Sequence, residues 1–257
     1  ALMAKNLVRG HIGREWMAMR NDKELMNNHL AARRVPVAAS FSLTPDQALA
    51  SASQLQYPLY GKARRSFASV GSAPVFSAES LPSALEQIQA EAGAMRINTE
   101  EIFFQTMLNR DRIYFADSAH AHFAGITKRI TTGVWIDYRG FKIPGDDSNR
   151  EDFPKHVWDY IEMLPPPHLL DPAELQLFYM MLEVDKRMAK AAAINAGSSH
   201  TEYMAPGESP RSIGELFPTD VNHRLPGLKA SLLELRATGV NPFVVDIMAR
   251  TQPEYLL

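Results

Sequence analysis

Seventeen prolines are spread over this chain of 257 residues, and each one bars a helix interior because its ring fixes φ and removes a backbone donor. The sequence therefore reads as many short segments joined by turns, with few stretches free to form a long helix. No internal repeat is evident. No apolar run approaches the ~18–20 residues needed to span a bilayer. Apolar residues make up 46% of the chain, enough to build a sizeable core. The absence of Cys excludes disulfides, thiolate catalysis and Cys-ligated metal centres.

Charge is divided lengthwise. Residues 1–78 hold 10 Lys and Arg against 4 Asp and Glu, whereas residues 79–257 hold 17 against 25. This reads as a basic N-terminal arm and connector over 1–78, followed by an acidic, mostly helical body over 79–257. A basic end of this kind suits an acidic partner or an anionic membrane surface. Val8, Ile12, Trp16, Met19, Met26 and Leu30 recur at helical spacing and predict an amphipathic helix over 5–32.

Local signals place the other elements. Thr44 followed by Pro45 predicts a helix over 45–56, and 61–78 reads as an extended connector. Helices are expected over 80–92, 99–109 and 154–164. Asp171-Pro172-Ala173-Glu174 has the parts of a capping box and opens a helix expected to reach residue 196. Two more helices are expected over 225–238 and from Asn241-Pro242 to 250. Aromatic and β-branched residues around Trp135 and Tyr138 predict one hairpin near 131–143. The polar stretch 198–210 reads as a loop. The expected fold is thus mainly α: an irregular helical body, a small β hairpin and an extended N-terminal helical arm.

Motifs for chemistry are sparse. His120 and His122 stand two apart, so on a strand both imidazoles could reach one metal ion, but no further ligands fall at recognised offsets. His200 and Glu202 have the same spacing and are discounted, because i,i+2 side chains face one another only on a strand. There is no Gly-rich phosphate loop and no nucleophile elbow. Nothing in the chain matches the motif of a known family, and no cofactor is expected.

The reading that follows is a non-catalytic accessory subunit of a large assembly, of the kind attached to a mitochondrial inner-membrane complex (respiratory or ATP synthase type). Arg9, Arg14, Trp16, Arg33, Arg34, Lys62, Arg64 and Arg65 are its expected contacts with partner subunits and with an anionic membrane surface. Nucleic acid is disfavoured by the acidic body. The mitochondrial location rests on the Arg-bearing start and on Ala1 in place of Met; a cytoplasmic location is the alternative. Competing readings are a metal-dependent enzyme built around His120 and His122, and an organellar ribosome-associated protein.

Overall fold

A computed structural model of the chain describes residues 19, 22–66, 70–109, 111–124, 126–138, 160–194, 196–225 and 228–256. Two antiparallel sheets carry the fold of these residues. The first sheet has the order β1-β4-β2-β3, from β1 (Ser40–Leu43), β2 (Leu59–Ala63), β3 (Ser72–Val75) and β4 (Ile102–Thr106). The second has the order β7-β6-β5-β8-β9, from β5 (Arg112–Phe123), β6 (Ile126–Tyr138), β7 (Tyr160–Met163), β8 (Gly197–Met204) and β9 (Phe217–Asn222).

Six helices surround the sheets among the described residues: α1 (Lys23–Ala32), α2 (Pro45–Ala50), α3 (Leu81–Ala94), α4 (Pro172–Ala191), α5 (Leu228–Thr238) and α6 (Pro242–Thr251). Helix α3 packs Leu81, Leu85, Ile88 and Ala92 against Leu59, Val75, Ile102 and Phe104 of the first sheet. The helix approaches β2 so closely that a Cβ at Gly61 would stand 2.9 Å from Ile88 Cδ1, which is why glycine occupies that position. Helix α4 buries Met181 and Val184 on Tyr114, Ala116, Val134, Ile136 and Tyr203 of the second sheet. That covers one face of the second sheet; on the other, α6 packs Ala249 and Val245 against Ala119 and Ala121, α5 sets Glu234 on Gly133, and the Glu202–Met204 end meets the first sheet.

The caps form as local chemistry dictates. Thr44 Oγ1 accepts from the Gln47 amide at 3.2 Å while Gln47 Oε1 accepts from the Thr44 amide at 3.0 Å. Asp171 Oδ1 accepts from the amides of Ala173 and Glu174 at 2.8 and 2.9 Å, and Glu174 closes the box. Asn241 caps α6 through the Phe243 amide at 3.1 Å.

The mainly α expectation is overturned, and so is the extended arm. Residues 99–109 form not a helix but β4, the strand between β1 and β2. Its Ile102, Phe103, Phe104 and Gln105 are buried in succession, so no alternation marks it as a strand. The Asn98 side chain accepts from the Glu100 amide at 2.7 Å, making a local turn where a helix cap was expected. The supposed connector supplies β2 and β3, with Pro74 tolerated because β3 is an edge strand.

The single expected hairpin is one part of a larger sheet. Strand β6 pairs along twelve positions with β5, and its C-terminal end also pairs with β7, where a helix was expected. The polar stretch from Gly197 onward is β8, buried in the sheet between β5 and β9. Helix α4 therefore stops at Ala191, and Ala193 turns the chain with φ 51°. Residues 1–18, with Arg9, Arg14 and Trp16, lie outside the described residues.

Candidate functional site

Between the two sheets lies a cavity of about 140 Å³. One wall comes from the first sheet: Tyr60 and Lys62 on β2, Ser72 on β3, and the chain from Gln105 to Leu108 leaving β4. The opposite wall carries Glu202 and Met204 of β8 with Thr219 and Asp220 of β9. Lys23, the first residue of α1, reaches in from the side.

The two lysines are held in place. Lys62 Nζ donates to Gln105 Oε1 at 3.3 Å and stands 5.6 Å from the Tyr60 ring centroid. Lys23 Nζ donates to the Ser66 carbonyl at 2.5 Å and to Ser66 Oγ at 3.0 Å. Burial pulls the Lys23 ammonium down to about 8, against the opposing pull of Asp220 and Asp22. Asp22, buried at the start of α1, takes Arg64 at 2.8 Å and Arg65 at 3.2 Å, which fixes the loop beyond β2 to that helix. Arg64 also pairs with Glu24 at 2.9 Å and with Glu101.

The opposite wall follows from strand register. Glu202 on β8 lies directly across from Asp220 on β9 and, on its other side, from Phe115 on β5. His200, two residues back on the same face, lies across from Asp117 and from Asn222. Two like charges directly opposite one another destabilise a bare sheet. Asn222 Nδ2 donates to Asp220 Oδ2 at 2.7 Å and orients that carboxylate.

Deeper along this face is a buried polar cluster. His200 Nδ1 donates to Asp117 Oδ1 at 2.7 Å, and Trp135 Nε1 donates to Asp117 Oδ2 at 2.6 Å. Phe115 stacks on Trp135 with centroids 3.8 Å apart and on His200 at 5.4 Å. Burial pushes the Asp117 carboxyl up to about 6, and the His200 imidazole below its usual value. Glu234 of α5 crosses the β6 backbone at Gly133, where a Cβ would meet its Cγ at 2.7 Å. As a carboxylate, Glu234 has no partner for either oxygen. Burial and the Asp117 carboxylate push it up to about 10, so it holds a proton and can donate to Asp117.

Sequence reasoning singled out Lys62, Arg64 and Arg65, and the structure gathers them at this cleft: Lys62 in the cavity wall, the two arginines on Asp22. Arg33 and Arg34 instead follow α1, where Arg33 Nη1 bonds His29 Nδ1 at 3.0 Å and Arg34 turns the chain with φ 61°. His120 and His122 do not form a metal pair. His120 is buried against Ser199 Oγ at 2.9 Å, while His122 bonds Thr127 Oγ1 at 2.7 Å. Burial holds the His120 imidazole down at about 3. No group of three or more His, Asp or Glu gathers to hold a metal among the described residues. Sequence reasoning missed Lys23, Glu202 and Asp220. The spacing of His200 and Glu202 was the available signal, discounted because the segment read as a loop.

No family model and no curated protein matches the sequence. Solved structures do. A biotin carboxylase from Campylobacter jejuni, in a β-γ-ATP complex, superposes with a TM-score of 0.66 at 17% identity, covering 93% of this chain and 47% of that one. An L-amino acid ligase from Bacillus licheniformis gives 0.64 at 13% identity, covering 91% and 48%. Pyruvate carboxylase from Rhizobium etli gives 0.65 at 16% identity, covering 93% of this chain and 18% of that much longer one. The chain thus spans about half the length of the first two. These neighbours are enzymes of the ATP-grasp fold. The expectation of a non-catalytic, mainly α accessory subunit is overturned by that likeness, and this chain has the ATP-grasp fold.

Proposed function

We propose that this chain is the nucleotide-binding part of an ATP-dependent ligase, which joins a carboxylate to a nucleophile at the expense of ATP. One observation carries the reading. Lys23 and Lys62 face Glu202 and Asp220 across a single cavity between the two sheets. The lysines, with Ser66 and Ser72 beside them, match the charge and hydrogen-bonding needs of a polyphosphate. The chain from Met107 to Leu108, with Met204 opposite, offers an apolar slot of the kind that takes a base. The absence of a Gly-rich phosphate loop is consistent with a site that holds phosphate through side chains on separate strands.

The opposed carboxylates fit a divalent cation. Alone they would repel both each other and a bound polyphosphate. Glu202 and Asp220 offer hard oxygen donors but an incomplete shell, which suits Mg²⁺ whose remaining ligands would be phosphate and water. Bound there, the cation would neutralise charge on the transferred phosphoryl group. The chain's own part is positional: lysine ammonium groups hold the phosphates, Asp22 fixes the loop that carries Ser66, and the apolar linker excludes water from the base.

The test is calorimetric titration with the non-hydrolysable analogue AMP-PNP, with and without Mg²⁺. Binding should require the cation, and Lys62→Met should weaken it about tenfold or more through loss of a charge-assisted bond. Equal affinity in EDTA, or an unchanged Lys62→Met, would refute the assignment.

A further inference from the structure

Gln105 stands where the two parts of the proposed nucleotide site meet. It lies on β4 directly across from Tyr60 of β2, two residues before Met107, and lines the same cavity as both. Lys62 Nζ donates to Gln105 Oε1 at 3.3 Å. An ammonium has no lone pair to offer, so the amide atom facing Lys62 is the oxygen, and Nε2 is turned away from that lysine. The bond from Lys62 is the one side-chain hydrogen bond of Gln105 among the described residues. Nε2 therefore keeps its N–H donors for a ligand in the cavity.

The surroundings make this amide the donor that a base would meet. The backbone amides of Thr106, Met107 and Asn109 already donate to the carbonyls of Ala39, Pro58 and Ala205, at 2.9, 3.1 and 2.9 Å. The Tyr60 hydroxyl and Ser72 Oγ bond one another at 3.0 Å. The apolar slot is thus bordered by a chain whose amides are largely engaged, which leaves it richer in acceptors than in donors. Gln105 sets a side-chain donor beside those acceptors.

Such a border is met by a base edge that pairs a carbonyl with an N–H. A 6-oxopurine has that edge, because its O6 accepts and its N1–H donates. Adenine has the opposite order, with a 6-amino group that donates and an N1 that accepts. Against Gln105 Nε2, the 6-amino group would set donor against donor. Turning the amide over would relieve this, but it would aim Nε2 at the Lys62 ammonium and lose the bond to Oε1. The positive charge of Lys62 adds to the same bias, since it attracts a carbonyl oxygen and repels amine hydrogens.

We propose that Gln105 reads the base, and that the cavity takes a 6-oxopurine nucleoside triphosphate in preference to ATP. The inference rests on the nucleotide reading above and names the class of nucleotide that the site selects. Adenine still fits the apolar slot with one hydrogen bond fewer, so ATP remains a weaker ligand.

The test is calorimetric titration of the whole chain with AMP-PNP and with its inosine counterpart IMP-PNP, both with Mg²⁺. The two share the same triphosphate and ribose, and their bases differ at the 6-position and in the proton on N1. Wild-type protein should bind IMP-PNP about tenfold more tightly, the effect of one hydrogen bond made or lost beside a charged group. Gln105→Glu accepts from Lys62 and from a 6-amino group alike, so it should reverse the order and favour AMP-PNP. Gln105→Met removes the donor without adding an acceptor, so the two affinities should fall within about threefold of one another; it carries the test if Gln105→Glu does not fold.

Wild-type affinities within about threefold of one another, AMP-PNP ahead of IMP-PNP, or a preference for IMP-PNP that survives in Gln105→Met would overturn the base assignment while leaving the nucleotide reading intact. Binding of neither analogue to the wild type would overturn the nucleotide reading, and the base assignment with it.

Discussion

Glu202→Gln should stabilise the bare protein and weaken its stabilisation by nucleotide, a reversal of sign that few structural roles would produce. Glu202 and Asp220 are directly opposed on β8 and β9, which places their Cβ atoms roughly 5 Å apart. Coulomb repulsion of two unit charges at that separation is ~0.8 kcal/mol in water and ~3 kcal/mol at an effective dielectric of 20. Asp220 is exposed and Glu202 partly so, which puts the repulsion near the lower end, at about 0.5–1 kcal/mol. For a chain of this size that corresponds to a melting temperature about 2 °C above wild type in EDTA. With Mg²⁺ and AMP-PNP the order should invert. At a hundredfold excess over Kd the wild type gains ~2.7 kcal/mol, and a variant bound tenfold more weakly gains ~1.4 kcal/mol less. Thermal and urea denaturation under both conditions give the comparison. A Glu202→Gln protein less stable than wild type in EDTA, or ahead of it by the same margin in both buffers, would refute the cation-bridged pair.

Three further outcomes follow from neighbouring groups. Since Lys23 gives up its proton near pH 8, AMP-PNP affinity should fall as pH rises from 7 to 9; Lys23→Arg, which stays charged, should flatten that fall in a calorimetric series. On the opposite face of the second sheet, Asp185 is fully buried and takes Arg129 at 2.5 Å, Ser118 Oγ at 2.9 Å and Tyr203 OH at 3.1 Å. Arg129→Met should cost about 3–5 kcal/mol in urea unfolding, and adding Asp185→Leu should restore most of that loss, because the cost is mainly that of an uncompensated buried charge. Glu234 holds its proton in the folded state up to about pH 10 but loses it near 4.5 when unfolded, so its contribution to stability declines as pH rises between those values. Glu234→Gln, neutral throughout and still a donor to Asp117, should make stability less dependent on pH between 5 and 9.

What the sequence disclosed and what it hid divide along a physical line. The helix starts at Thr44, Asp171 and Asn241 were legible because a cap is made by residues within three of one another. Strands β4 and β8 were not, because both run through the middle of a sheet and neither alternates apolar with polar. In β8 the odd positions, such as Tyr203, turn toward α4, while on the other face Glu202 and Met204 line the cleft and His200 is buried on Asp117. Ser198, His200 and Glu202 are polar because they engage Asp246, the buried Asp117 cluster and the candidate cavity in turn, and that polarity made the segment resemble a loop. The positive charge in residues 1–78 misled in a related way. Lys62 faces the cavity and Arg64 is engaged by Asp22, Glu24 and Glu101, so much of the Lys62–Arg65 cluster is used within the fold. A spacing of two is evidence of a shared site only once the segment is known to be a strand. Assigning β8 as a loop therefore concealed His200 and Glu202 together, although their spacing was visible from the start.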